Sequence, residues 1–307
     1  MDTKTYFSMH MPDFVQQWKH YKKGLRGINL KEWCIASDYV DDSNKPNGVA
    51  TFTIFPRSII TKLIYEISTN IPTDIKNRTH VSSETLDYLR NSPYFFNICV
   101  IIKNKKLLCN EKLSRSLHTL IEFYKNTDEN KERFKDKYLK VQKLNQYLKQ
   151  GNCSKEKVGL MLFVAKFMSY ICEFLLIKEN CSSLNWFSDR DPIAEMMDKI
   201  IYDFVIFYTE QKVHQRITDY NLSAPILNTQ KAQEEYDTLI RIPDIISGVF
   251  SSLHPRGKDL AYEKEKHKEI FVHSILSNDR IITLDFDIQQ DNIQYVKSIK
   301  YLKRENI

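Results

Sequence analysis

The chain has 307 residues, 42% hydrophobic and 27% charged, the proportions of a soluble globular protein and not of a disordered or collagen-like one. That length admits one large domain or two small ones. The formal net charge is only +6 and glycine numbers only 7; neither G-x-G-x-x-G nor G-x-x-x-x-G-K-[ST] occurs, so Rossmann-type dinucleotide binding and P-loop chemistry are not expected.

The opening Met1-Asp2-Thr3-Lys4 has no apolar core, so no secretory signal is expected. The six cysteines, Cys34, Cys99, Cys109, Cys153, Cys172 and Cys181, never form C-x-x-C. Together these point to a reducing cytoplasm and free thiols. Pro12 to Lys23 reads as a short amphipathic helix. Lys31 to Val40 (KEWCIASDYV) reads as a strand, residues 41–48 as a turn, and Val49 to Phe55 (VATFTIF) as the second strand of a hairpin. Ser58 to Ser68 places Ile59, Leu63 and Ile67 on one helical face. Tyr94 to Ile102 (YFFNICVII) is the continuous apolar run of a strand buried on both faces.

Glu111 to Tyr124 and Glu129 to Gln150 predict two charged helices. Lys155 to Lys178 is apolar nearly all round; Lys166 and Glu173 inside it argue against a membrane span and for a central helix. Ser183 to Phe187 (SLNWF) reads as a strand, and the Ile193 to Phe207 spacing as a helix, although Ile201 to Tyr208 also suits a strand by composition. Ile242 to Leu253 predicts a helix with Pro243 in its first turn. Ile270 to Leu276 and Arg280 to Asp287 predict two strands, and Asn292 to Leu302 a closing helix. Strands interleaved with helices mean an α/β fold. Charge is uneven: residues 101–150 hold 13 Lys and Arg against 6 Asp and Glu, and residues 151–250 hold 10 against 14. The basic stretch suits phosphate tracking or a solvated helix face.

Acids fall where chemistry can use them. Asp38 interrupts an apolar strand, with Asp41 and Asp42 just beyond; Asp189 follows a strand, with Asp191 two residues on; Asp244 precedes small Ser247 and Gly248. Carboxylates converging at a sheet edge bind Mg²⁺ or Mn²⁺ through hard oxygen ligands. Each has a plainer reading. Asp41, Asp42 and Ser43 favour a turn, Asp189 suits a helix cap, and Asp244 suits a helix dipole. Asp38 is harder to assign to structure alone, because an acid in an apolar strand needs a partner or a rim position.

The hairpin acid, the acid after a later strand and the late Asp244-Ile245-Ile246-Ser247-Gly248 helix resemble the ribonuclease H-like (retroviral integrase-like) nucleases. More narrowly, the chain resembles a family of uncharacterised bacterial proteins with that expected fold, an aspartate-rich first turn and a late Gln-x-Ala-Asp helix. Here these read Ser37-Asp38-Tyr39-Val40-Asp41-Asp42-Ser43 and Arg241-Ile242-Pro243-Asp244. Asn44 stands where the family's Asp-Glu-Ser-Gly ends in glycine, and Pro243 where it has alanine. The resemblance implies a single domain over 1–307: a ribonuclease H-like mixed sheet with helices on its faces and a charged helical insertion at 104–152. It implies a metal-dependent nuclease, in a defence or mobile-element system, with Asp38, Asp189 and Asp244 catalytic. Mg or Mn would be held by those three with Asp41, Asp42 and Asp191, and nucleic acid met by Lys103, Lys105, Lys106 and Arg190. The rival is a non-catalytic interaction module on the same fold.

Overall fold

The computed structural model describes residues 5–41, 48–103, 111–126, 131–213, 216, 217, 220–223, 230–256, 259–288 and 294–299. Asp42, Lys105, Lys106 and most of the expected first turn lie outside them.

One seven-stranded mixed sheet organises the chain. Its strands are β1 (Glu32–Val40), β2 (Gly48–Pro56), β3 (Phe96–Lys103), β4 (Ser183–Ser188), β5 (Asn221–Ser223), β8 (Ile281–Ile288) and β9 (Gln294–Ile299), in the order β5-β4-β1-β2-β3-β8-β9. Antiparallel pairs join β1 to β2, β2 to β3 and β8 to β9; parallel pairs join β1 to β4, β4 to β5 and β3 to β8. The expected hairpin is present, with Asp38 opposite Thr51. Strands β6 (Leu253–Arg256) and β7 (Asp259–Tyr262) form a separate small hairpin.

Because side chains alternate along a strand, the sheet feeds two apolar cores. Trp33, Ile35, Phe52, Ile98 and Leu284 belong to the first. Helices α1 (Tyr6–His10), α2 (Pro12–Gly24), α5 (Glu111–Asn126), α6 (Lys131–Lys149), α7 (Lys155–Glu173) and α8 (Met196–Val213) pack there. Cys34, Ala36, Val49, Phe55 and Cys99 belong to the second, under α3 (Ile60–Asn70), α4 (Ser83–Asn91), α9 (Gln230–Ser252) and α10 (Glu265–Ile270). Helix α7 is apolar all round because it lies inside the first core, and it runs on as a π-helical turn, Phe174–Lys178. By length and composition Lys155–Lys178 is able to cross a membrane, yet 83% of its apolar window is buried in the protein. Of the two charges inside it, Lys166 is exposed, while Glu173 is buried: burial raises its pKa, and the Tyr6 N–H donated to its carboxylate at 3.3 Å offsets part of that cost.

Three sequence expectations are corrected. Helix α9 begins at Gln230, not Ile242, and carries Pro243 in its interior. Pro243 removes one helix hydrogen bond and its ring crowds the Leu239 carbonyl, a cost that burial of the flanking Leu239, Ile242 and Ile246 side chains offsets. Residues 270–275 are not a strand: Ile270 ends α10 and Phe271–Ile275 form a π-helical turn, burying Phe271 and Ile275. The closing helix over 292–302 is instead strand β9, whose Gln294–Ile299 pairs with β8. In α8, Met197, Asp198 and Lys199 have positive φ, so the regular part of that helix follows from Ile200.

The uneven charge has an internal destination. Helices α5 and α6 form the expected charged insertion and pack into the first core through Leu117, Leu120, Val141 and Leu144. Lys137 of α6 pairs with Asp203 of α8 at 3.0 Å, and Lys140 with Asp198 at 3.2 Å. Basic and acidic stretches thus meet face to face. Phe52, fully buried on β2 and 5.4 Å from Phe167 of α7, tests the first core: Phe52→Ala should lower the unfolding free energy by about 3–5 kcal/mol, read from denaturant melts. A loss under about 1 kcal/mol would contradict this packing.

Candidate functional site

Asp38 is the seventh residue of β1, and strand alternation turns it toward α9 and the second core. Asp189 reaches it through sheet pairing. Ser188 ends β4 opposite Ser37, and the Asp189 N–H then donates to the Ser37 carbonyl at 2.8 Å. Asp244 comes down from α9, which lies across β1 and β2; one turn on, the Ser247 hydroxyl donates to Thr51 Oγ1 at 2.8 Å. Three carboxylates from a central strand, its neighbour's end and a covering helix therefore share one place.

The electrostatics of that place are unfavourable as it stands. Asp38 is 3% exposed, and its Oδ2 has no hydrogen-bond partner among the described residues. Burial first, then the Asp244 charge and the adjoining Asp189 side chain, hold its carboxyl well above the usual carboxylate range. Asp244 is raised as well, by burial, against the lowering effect of Lys76. Among the described residues no ion pair reaches Asp38, and no group of three or more His, Cys, Asp or Glu side chains is arranged to hold a metal ion as it stands.

The remaining expected residues divide. Asp191 caps a turn: its Oδ1 accepts the N–H groups of Ile193 and Ala194 at 2.7 and 2.8 Å. Burial raises it to about 6, with Asp189 and Asp41 adding to the shift. The capping role expected of Asp189 thus falls to Asp191. Asp41 follows β1 and is close enough for its charge to act on Asp191. Asp244 sits mid-helix, so a helix N-terminus does not explain it. Arg190 pairs with Asp237 at 2.5 Å, and Lys103, at the end of β3, with Asp285 at 2.5 Å. Helices α5 and α6 pack on the opposite face of the sheet from Asp38.

Two lysines join the cluster that no sequence pattern marks. Lys76, on the 3₁₀ turn Ile75–Asn77, places Nζ 3.0 Å from Asp244 Oδ1. Burial opposes its charge, but Asp244, Asp38 and Asp189 outweigh that and raise its pKa. Lys266 of α10, itself buried, donates to the carbonyls of Ile75 and Lys76 at 2.8 and 2.6 Å. Above the acids opens a cleft of about 840 Å³ whose lining includes Ile75, Lys76, Asp189, Arg241 and Asp244. Behind it, a buried network locks β1 to β4. The Trp186 indole donates to Ser37 Oγ at 2.8 Å, Ser37 Oγ meets the Tyr39 hydroxyl at 2.6 Å, and the Tyr236 hydroxyl donates to the Ser188 carbonyl.

A carboxyl whose pKa is raised by folding supports the fold while protonated, below its ordinary range, and withdraws that support as pH rises through the raised value. Asp38 is such a group. In EDTA, Asp38→Asn should therefore melt above the parent at pH 8, with the gap narrowing toward pH 4. A variant that melts below the parent across that range would make Asp38 a structural anchor instead.

With this geometry in place, the chain was compared with known proteins, and no protein-family model, no curated protein and no solved structure matches it.

Proposed function

We propose that the chain is a metal-dependent phosphodiesterase acting on nucleic acid, with a ribonuclease H-like core. The observation that carries this reading is the buried Asp38 carboxyl, with an unpartnered oxygen, beside Asp189 and Asp244, the two acids that line an open cleft. A buried polar atom without a partner is costly, and mutually repelling carboxylates add to that cost. A hard divalent cation relieves both at once, and three oxygen donors suit Mg²⁺ or Mn²⁺ better than softer metals. The fold reading is supported by the order of elements: a hairpin with the first acid, a return through helices to a parallel strand beside it with the second, and a later helix with the third.

In this mechanism Asp38 would offer its unpartnered oxygen from the buried side, Asp189 its carboxylate from the strand end, and Asp244 its own from the helix wall. When bound there, the ion supplies Lewis-acid polarisation of a phosphodiester and a more acidic water. The buried Ser37, Tyr39, Trp186 and Ser188 contacts hold the two strand-borne acids in register. The cleft lining carries Asp189, Glu234, Glu235, Asp237 and Asp244 against Lys76, Lys231 and Arg241, so without an ion it repels a polyanion.

The test is cleavage of single- and double-stranded DNA and RNA with Mn²⁺ or Mg²⁺. Asp38→Asn and Asp244→Asn should each cut the rate by at least about a hundredfold, and EDTA should abolish it. Cleavage that survives EDTA or the Asp38 change would overturn the reading. Oligonucleotide binding at low salt should also require the divalent ion. Tight binding in EDTA that Asp38→Asn leaves unchanged would favour the non-catalytic interaction module.

A further inference from the structure

Lys76 is held in place at considerable cost. Its turn is pinned from three sides. The Ile75 side chain is buried in the second core, Arg78 pairs with Asp74 at 2.9 Å across the turn, and the buried Lys266 ammonium clamps the carbonyls of Ile75 and Lys76. Burying an ammonium on two carbonyls is expensive, and what the clamp fixes is the point from which Lys76 extends. The Lys76 side chain is 69% exposed and still ends 3.0 Å from Asp244 Oδ1, on the wall of the cleft that holds Asp189 and Asp244. An ordinary surface lysine has no such scaffold.

Charge counting gives this arrangement a meaning. Three carboxylates, Asp38, Asp189 and Asp244, face two ammonium groups, Lys76 and Lys266. With these five groups alone, one divalent ion leaves a single positive charge, which matches one phosphodiester. A second ion would leave three positive charges in a partly buried site, an arrangement opposed by Coulomb repulsion at short range. The unpartnered Asp38 oxygen marks a place for one ion, and Lys76 already holds Asp244 Oδ1 at 3.0 Å.

We propose that Lys76 is the second cation of this centre: the site takes one divalent ion, and the Lys76 ammonium stands where a two-ion site would hold its partner, facing the phosphodiester in the cleft. This rests on the metal-dependent reading above. In it, Lys76 shares Asp244 with the ion and donates to a non-bridging phosphate oxygen, while Lys266 is a positioning residue that keeps the turn in reach.

The experiment is Mn²⁺ binding to the full, metal-free chain, counted by the loss of the free-ion paramagnetic resonance signal, with circular dichroism melts to confirm folding. The parent should bind one Mn²⁺. Lys76→Met should still bind one, about tenfold more tightly, because the ammonium no longer competes for Asp244. Lys76→Arg, which keeps the charge, should stay within about threefold of the parent. Two ions of similar affinity in the parent would overturn the proposal while leaving the metal-dependent reading intact. So would unchanged or weaker binding by a folded Lys76→Met. No Mn²⁺ bound by the parent would overturn that reading itself, and this proposal with it.

Discussion

The parallel pairing of β4 with β1 is the constraint on which the centre depends. It sets Ser188 opposite Ser37 and brings the Asp189 N–H onto the Ser37 carbonyl, so two acids far apart in sequence become lateral neighbours. A slip of one residue by β4 would turn its side chains to the other face of the sheet and draw Asp189 off the Ser37 carbonyl. The buried hydroxyl and indole bonds around Ser37, Tyr39, Trp186 and Ser188 make that slip expensive, because each would lose a partner in a water-free place. What looks like a secondary polar network is the device that meters the distance between the acids.

The two faces of the sheet do different work. One is a large aromatic core, with Phe7, Phe14, Trp18, Trp33, Phe96 and Phe174 in mutual ring contact, and it gives a rigid backing. The other carries polar residues inside its apolar field: Asp38, Thr51 and Ser247, then Thr53 hydrogen-bonded to Asn97 at 2.7 Å. A fold stable on one side tolerates electrostatic strain on the other. The basic insertion belongs to the rigid side, where α8 absorbs part of its charge.

The α/β class, the hairpin and the central helix were legible because hydrophobic period and turn residues report them directly. Asp38 was legible as an acid where burial should forbid one. Pro243 misled, since a proline so often opens a helix that it hid the twelve helical residues before Ile242. Residues 270–275 misled because a buried π-helical turn and a short strand have the same apolar composition. Lys76 left no trace: its meaning comes from a turn position and from Lys266, some 190 residues away, and no local period encodes either. The late-motif glycine carries little steric information, as a Cβ at Gly248 would meet only His267 Nε2 at ordinary contact distance.

The connectivity of the sheet has a kinetic consequence. The contact between Trp186 and Ser37 spans 149 residues, and that between Lys103 and Asp285 spans 182. These two parallel seams, β1–β4 and β3–β8, close loops of more than a hundred residues, so their entropy cost falls due before their contacts repay it. The β1–β2–β3 meander, built from neighbours, can assemble first, with Asp38 still open to water and free of its rivals. Only when β4 docks does the crowding of carboxylates begin. The crowding of carboxylates thus comes from the long-range β4 seam and from α9, and not from the local hairpin that carries Asp38.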